Sequence, residues 1–228
     1  MAKKANKKVK KKITTAREHP MQVPVSEKNP AGVTIRDQHL RRLPGTYLKR
    51  DDIEGVFKSH NRKGILYPAS GKIPKPKNAD DYDELIAVWV DYFNSKLKTE
   101  PPLDPDVFKA LLASESTFRH HTPENKTAFG IAQITKQTWT ILQDVKGEAK
   151  EFIFSDIRQK DLRNPNVAIP MGVRWLMYKS KRAAAKLEKQ PSHEDIILEY
   201  KGLLKSKTEY KDKALKSYRH YYGLLKNS

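Results

Sequence analysis

A chain of 228 residues and 26.3 kDa can hold one domain of ordinary size with extensions and excludes two large ones. Its 45 Lys and Arg against 27 Asp and Glu give a formal charge of +18, and only 37% of its residues are hydrophobic, a balance close to the point where terminal segments fail to join a core. The absence of cysteine removes disulfides, thiolate metal sites and cysteine nucleophiles together. No apolar run is long enough for a bilayer.

Seven of the first twelve residues are lysine, but Thr14, Thr15, Ala16, Arg17 and Glu18 follow instead of an apolar core, so an ordinary signal peptide is not expected. Residues 1–43 are read as a flexible basic arm, charged and interrupted by Pro20, Pro24 and Pro30, with no sustained apolar period. Residues 44–78 carry turn signals at Pro44-Gly45, Pro68 to Gly71 and Ile73 to Pro76, which predicts an irregular connector. From residue 79 to 228 the pattern is helical. With Asn78 as cap, Tyr82, Leu85, Ile86, Trp89, Phe93 and Leu97 keep helical spacing, and four acids crowd the first turn. Pro101-Pro102 ends that helix, and Asp104 or Asp106 caps the next around Pro105. The polar stretch 119–129 is expected to form a short loop or hairpin wall. Gln133 to Val145, Ile169 to Leu187, His193 to Leu204 and Tyr210 to Leu225 each read as helices. No alternating strand pattern of any length is found, so the fold class is mainly α.

Val107 to Glu115 forms an amphipathic helix with Glu115 at the end of its apolar face. A carboxyl held there is poorly solvated, so its pKa is expected to rise, and it can carry a proton at neutral pH to a leaving group. Gln133 is a polar side chain within an otherwise apolar run, and a buried amide needs partners, from backbone or from substrate. Gly130 and Gly172 are expected to permit close backbone approach. The seven histidines show no ligand spacing, so neither a metal nor a cofactor is expected.

Glu115-Ser116-Thr117-Phe118, Gly130-Ile131-Ala132-Gln133-Ile134 with Thr138, Asn164 to Leu176, and Glu199-Tyr200-Lys201-Gly202 stand in the order and spacing of the motif blocks of a known family. The chain resembles, over about residues 103 to 222, the soluble lytic transglycosylases of the lysozyme-like superfamily. The resemblance implies an α+β lysozyme-like fold, mainly helical, and cleavage of the β-1,4 bond between N-acetylmuramic acid and N-acetylglucosamine. It implies Glu115 as the one acid and base, and Tyr200 as a hydroxyl that helps orient it. Gln133, Ser116, Ile131, Ala132 and Lys201 become candidates for substrate contact, with Ser116 also suited to locking the helix end and Thr138 to capping the helix that follows.

Three departures from the pattern stand out: Ala132 for the family methionine, Ala168 for an asparagine, and Lys201 for the asparagine after the tyrosine. A fourth is Glu124, where the family usually has a small hydroxyl residue. A second carboxylate across from Glu115 would favour hydrolysis, as in a muramidase; facing solvent, it would leave transglycosylation. The expected partner is the peptidoglycan glycan strand, with anionic envelope polymers as a target for the basic arm. A specific nucleic acid is not expected, since no nucleic-acid motif accompanies the charge. The protein is expected to be a soluble monomer acting in the periplasm or wall, delivered by phage lysis, specialised secretion or conjugation machinery.

Overall fold

The computed structural model describes the short strands between positions 14 and 41 and the stretches 47–120 and 127–227. Two units are distinguished, Met1–Tyr47 and Leu48–Ser228. In the first, β1 (Thr14–Ala16) pairs antiparallel with β4 (His39–Arg41), and β2 (His19–Gln22) with β3 (Val33–Arg36). Among the described residues, the region read from sequence as a flexible basic arm therefore contains four short strands. Runs of three or four residues are too short to show a period of two against a background of charge.

The second unit begins well before residue 79. After β5 (Tyr47–Lys49), α1 (Arg50–Ser59) occupies part of the stretch expected to be irregular. Ile53 is buried, Val56 and Phe57 pack beside it, and Asp51 and Asp52 sit in the first turn, where the helix dipole favours negative charge. The helix predicted from Ala79 opens as a 3₁₀ turn over Ala79–Tyr82 and continues as α2 (Asp83–Leu97). Its aromatic stripe is core: Trp89 and Phe93 are fully buried, and Phe93 meets Phe152 edge-on at 5.0 Å.

α3 (Pro105–Ser116) starts where expected, and Asp104 is the cap, its carboxylate accepting from Asp106 N–H at 2.9 Å. Pro105 at the first position surrenders only an N–H that has no intrahelical partner. The next helix is much shorter than predicted. β6 (Ala128–Phe129) pairs antiparallel with β7 (Ile134–Thr135), and only Lys136–Ile141 forms α4. Thr135, not Thr138, caps it, accepting from Thr138 N–H at 3.1 Å. β8 (Ile153–Ser155) follows. α5 (Pro165–Leu187) begins at the Asn164 cap, earlier than the sequence pattern suggested, and α6 (His193–Tyr200) and α7 (Thr208–Lys226) complete the unit. α5 packs against α2 and α6, and α7 lies along α3. Among the described residues no helix is long and apolar enough to cross a membrane.

Candidate active site

Two hydroxyl groups hold the site together. Ser116 is buried at the end of α3, and its Oγ donates to Ile131 O at 2.7 Å. Tyr200, the last residue of α6, donates its hydroxyl to Ala132 O at 2.7 Å. Successive carbonyls of one turn thus bind α3 from one side and α6 from the other. The Ser116 bond is between buried groups, where a missing partner would cost about 1–3 kcal/mol, and the Tyr200 bond is partly buried.

That turn is the tip of the β6–β7 hairpin. The Gly-Ile-Ala-Gln motif is itself the hairpin loop, and most of the stretch expected to form a wall, 121–126, lies outside the described residues. Gln133 N–H closes it on Gly130 O at 3.0 Å, and the Gln133 side-chain Nε2 donates to the same carbonyl at 2.8 Å. Gln133 has φ 46° and Gly130 φ 69°, both in the left-handed region that only glycine enters cheaply. Gly130 has a second reason to lack a side chain, since a Cβ there would lie 1.8 Å from Leu162 O. At Gly172 a Cβ would lie 2.8 Å from Ala132 Cβ and 3.0 Å from Phe108 Cζ, so α5 supports the turn by direct contact.

The side chains of Ile131 and Ala132 are buried, 0% and 1% exposed. Both were candidates for substrate contact; the structure gives their side chains to the core, and their carbonyls to the frame just described. Ser116 likewise spends its hydroxyl on Leu112 O and Ile131 O. Gln133 is buried and reaches Gly130. Glu124 lies outside the described residues.

Glu115 stands one residue before the end of α3, its side chain 18% exposed. The helix stops abruptly there because Thr117 and Phe118 both turn left-handed, φ 50° and 58°. Two such residues together cost about 2–4 kcal/mol. Phe118 is driven into this bend by burial: it is 1% exposed and stacks on Tyr82 with centroids 5.9 Å apart, worth roughly 2–3 kcal/mol for the burial plus about 1 for the ring pair. The aromatic of the Glu-Ser-x-aromatic motif thus sets the angle at which Glu115 leaves its helix.

The immediate partner of Glu115 is not the one expected. Among the described residues its carboxylate pairs with the Lys201 ammonium, whereas the sequence reading pictured a carboxyl isolated against apolar surface and oriented by Tyr200. Tyr200 is close enough for the Glu115 charge to act on it, but its hydroxyl bonds to Ala132. Burial, with the Glu115 charge adding to it, holds that hydroxyl well above the ordinary tyrosine range, so it stays protonated and remains a donor.

Behind Tyr200 lies a group that sequence reading passed over. Glu199, 1% exposed, accepts from Lys186 Nζ at 2.7 and 2.8 Å and lies 3.3 Å from Arg182 and 3.8 Å from Lys179. A buried carboxylate is tolerable when paired in this way. The only sequence signal is the spacing of Lys179, Arg182 and Lys186, which places them on one face of α5.

Among the described residues no group of three His, Cys, Asp or Glu side chains could hold a metal ion. Comparison with curated proteins and with solved structures gives no match. The family model described as the transglycosylase SLT domain matches residues 92–213, over half of the 228 and including Glu115, the 130–133 turn, Tyr200 and Lys201: the chain belongs to this lysozyme-like family.

Proposed function

We propose that this protein cleaves the glycan strand of peptidoglycan between N-acetylmuramic acid and N-acetylglucosamine by lytic transglycosylation, with Glu115 as both acid and base. Membership of a family of peptidoglycan-cleaving lytic transglycosylases supplies the substrate class. The observation that carries the residue assignment is the frame in which Ser116 and Tyr200 grip adjacent carbonyls of one turn, fixing the end of α3 so that Glu115 sits at the partly open edge of a buried assembly.

The chemistry then needs one carboxyl. Protonated Glu115 gives its proton to the glycosidic oxygen, the C1–O bond breaks, and the N-acetylglucosamine side leaves as an alcohol. The resulting carboxylate takes the proton from the muramoyl C6 hydroxyl as that oxygen bonds to C1. The acid is regenerated, an anhydro ring closes, and no water is consumed. Tyr200 acts through Ala132 by holding the turn, a positioning role. The basic segment 1–43 adsorbs the enzyme to anionic polymers of the envelope, and the site of action is the periplasm or wall, reached by phage lysis, specialised secretion or conjugation machinery.

Digestion of purified peptidoglycan with mass analysis of the fragments tests this directly. Wild-type protein should release fragments ending in anhydromuramic acid, lighter by one water than hydrolytic products. Glu115→Gln should fold normally and lose about two to four powers of ten in rate. A folded Glu115→Gln protein with near wild-type turnover removes Glu115 from the site, and products with reducing ends would replace transglycosylation by hydrolysis.

A further inference from the structure

Position 201, where the related enzymes are expected to carry asparagine, places a full positive charge on the proposed acid. Lys201 caps α6, with its backbone N–H held by Ile197 O at 3.0 Å, and the preceding residue is tied to the turn through Tyr200. The backbone of Lys201 is therefore fixed, while its ammonium sits at the end of a four-carbon stem of rotatable bonds. Its side chain is 18% exposed, as is that of Glu115. An ammonium has three N–H donors, and among the described residues only Glu115 claims one. The buried acid next door, Glu199, is already engaged by Lys186, Arg182 and Lys179 and does not compete for Lys201.

An ammonium and a transferable proton contend for the same carboxylate oxygen. A site whose single acid rests against a lysine is ready only in the fraction of molecules where the lysine has moved away, and substrate that draws it away raises that fraction. Sugar hydroxyls and acetamides offer neutral acceptors, which are weaker partners than a carboxylate. The muramoyl residue brings an anion of its own. The lactyl ether on its C3 ends in a carboxyl group, on the same ring as the C1 whose bond is broken. In peptide-free strands that group is a carboxylate; where a stem peptide is attached it is a neutral amide.

Resting on the assignment of Glu115 as the acid, we propose that Lys201 is a specificity-determining residue that binds the free lactyl carboxylate of peptide-free glycan, and in doing so leaves Glu115 to the glycosidic oxygen. The exchange swaps one ion pair for another with no covalent change, and the proton that Glu115 then carries comes from solvent.

The test uses peptide-free glycan strands in two forms, with lactyl carboxylates free or converted to methylamides, digested by the full-length protein and its Lys201→Asn and Lys201→Arg variants. Wild type should favour the carboxylate form by roughly tenfold to a hundredfold in kcat/KM, the range of a hydrogen bond to a charged group. Lys201→Asn should cleave the two forms at closely similar rates, and Lys201→Arg should keep the preference. An active wild type without preference overturns the proposal, as does a Lys201→Asn variant that retains it. Cleavage of intact wall without cleavage of either strand form also overturns it while leaving the role of Glu115 standing. Loss of all cleavage from the wild type would sink the proposed function and this inference with it.

Discussion

Replacing Gly130 by alanine tests whether the motif turn is as constrained as its geometry implies. The new Cβ would stand 1.8 Å from Leu162 O and 2.9 Å from Leu162 C. These are backbone atoms of the 3₁₀ turn Gln159–Arg163, so no flexible side chain can yield. An alanine at φ 69° costs about 1–2 kcal/mol for its left-handed conformation, and relieving the collision adds about 1–3 kcal/mol. The sum, about 2–5 kcal/mol, corresponds to a fall in Tm of roughly 4–20 °C for a chain of this size. Gly71→Ala is the control. Gly71 has φ 70° and nothing within 4 Å of its would-be Cβ, so it should show the conformational cost alone, roughly 2–8 °C. Thermal melts of both variants followed by circular dichroism give the comparison, and the gap between them measures the collision. Equal melting temperatures for the two would refute the claim that Leu162 closes the space around the turn.

Phe118→Ala should destabilise by about 3–5 kcal/mol, and Phe118→Leu by much less, if burial of the ring rather than the left-handed backbone itself holds the end of α3; equal losses in chemical denaturation would contradict this. Glu199→Gln leaves three cations around a neutral amide and should cost about 3 kcal/mol at low salt, softened by the partial exposure of Arg182 and Lys186; an unchanged melting temperature would deny the cluster a structural role. Asp83 gives a pH signature. It lies 2.6 Å from Lys109 Nζ, yet neither carboxylate oxygen receives a well-directed hydrogen bond, and burial outweighs the pairing to raise its pKa from the usual 3.8 to about 6. The folded state then binds this proton more tightly than the unfolded one, so the Asp83 contribution to stability is present below about pH 4 and is lost as pH rises through about 6. Relative to Asp83→Asn, wild type should lose up to about 3 kcal/mol between those limits; a gap that does not change with pH would disprove the shift.

The helices that pack on the core were legible because their signals are local. Trp89 and Phe93 fall at helical spacing, Asp104 and Pro105 announce the start of α3, and the structure agrees to within a turn. α1 was missed although Ile53, Val56 and Phe57 have the right spacing, because charge and Gly55 dilute a ten-residue pattern. α4 was overextended for a different reason. Ile134, Ile141, Leu142 and Val145 keep helical spacing, but Ile134–Thr135 pair with Ala128–Phe129, and neither that pairing nor the left-handed Gln133 leaves a local trace. Short strands chosen by tertiary contact escape any reading of periodicity.

The site shows the same division. Glu115, the turn and Tyr200 could be named one by one, but not who touches whom: Ser116 reaches across 15 residues, Tyr200 across 68 and Lys201 across 86. Those separations are what the fold supplies. Around Tyr200 they also explain why its two neighbours act as a pair. On one side of the α6 end, buried Glu199 anchors to the cations of α5; on the other, Lys201 extends to Glu115. Tyr200 between them reaches the turn. Three consecutive side chains thus fasten the same helix end to α5, to the hairpin loop and to α3. Of these fastenings, Glu199 sits at 2% side-chain exposure with several partners, while Lys201 sits at 18% with one among the described residues. An incoming anion that disturbs the frame would therefore open the Lys201 contact first, leaving the hydrogen bonds that place Glu115 intact.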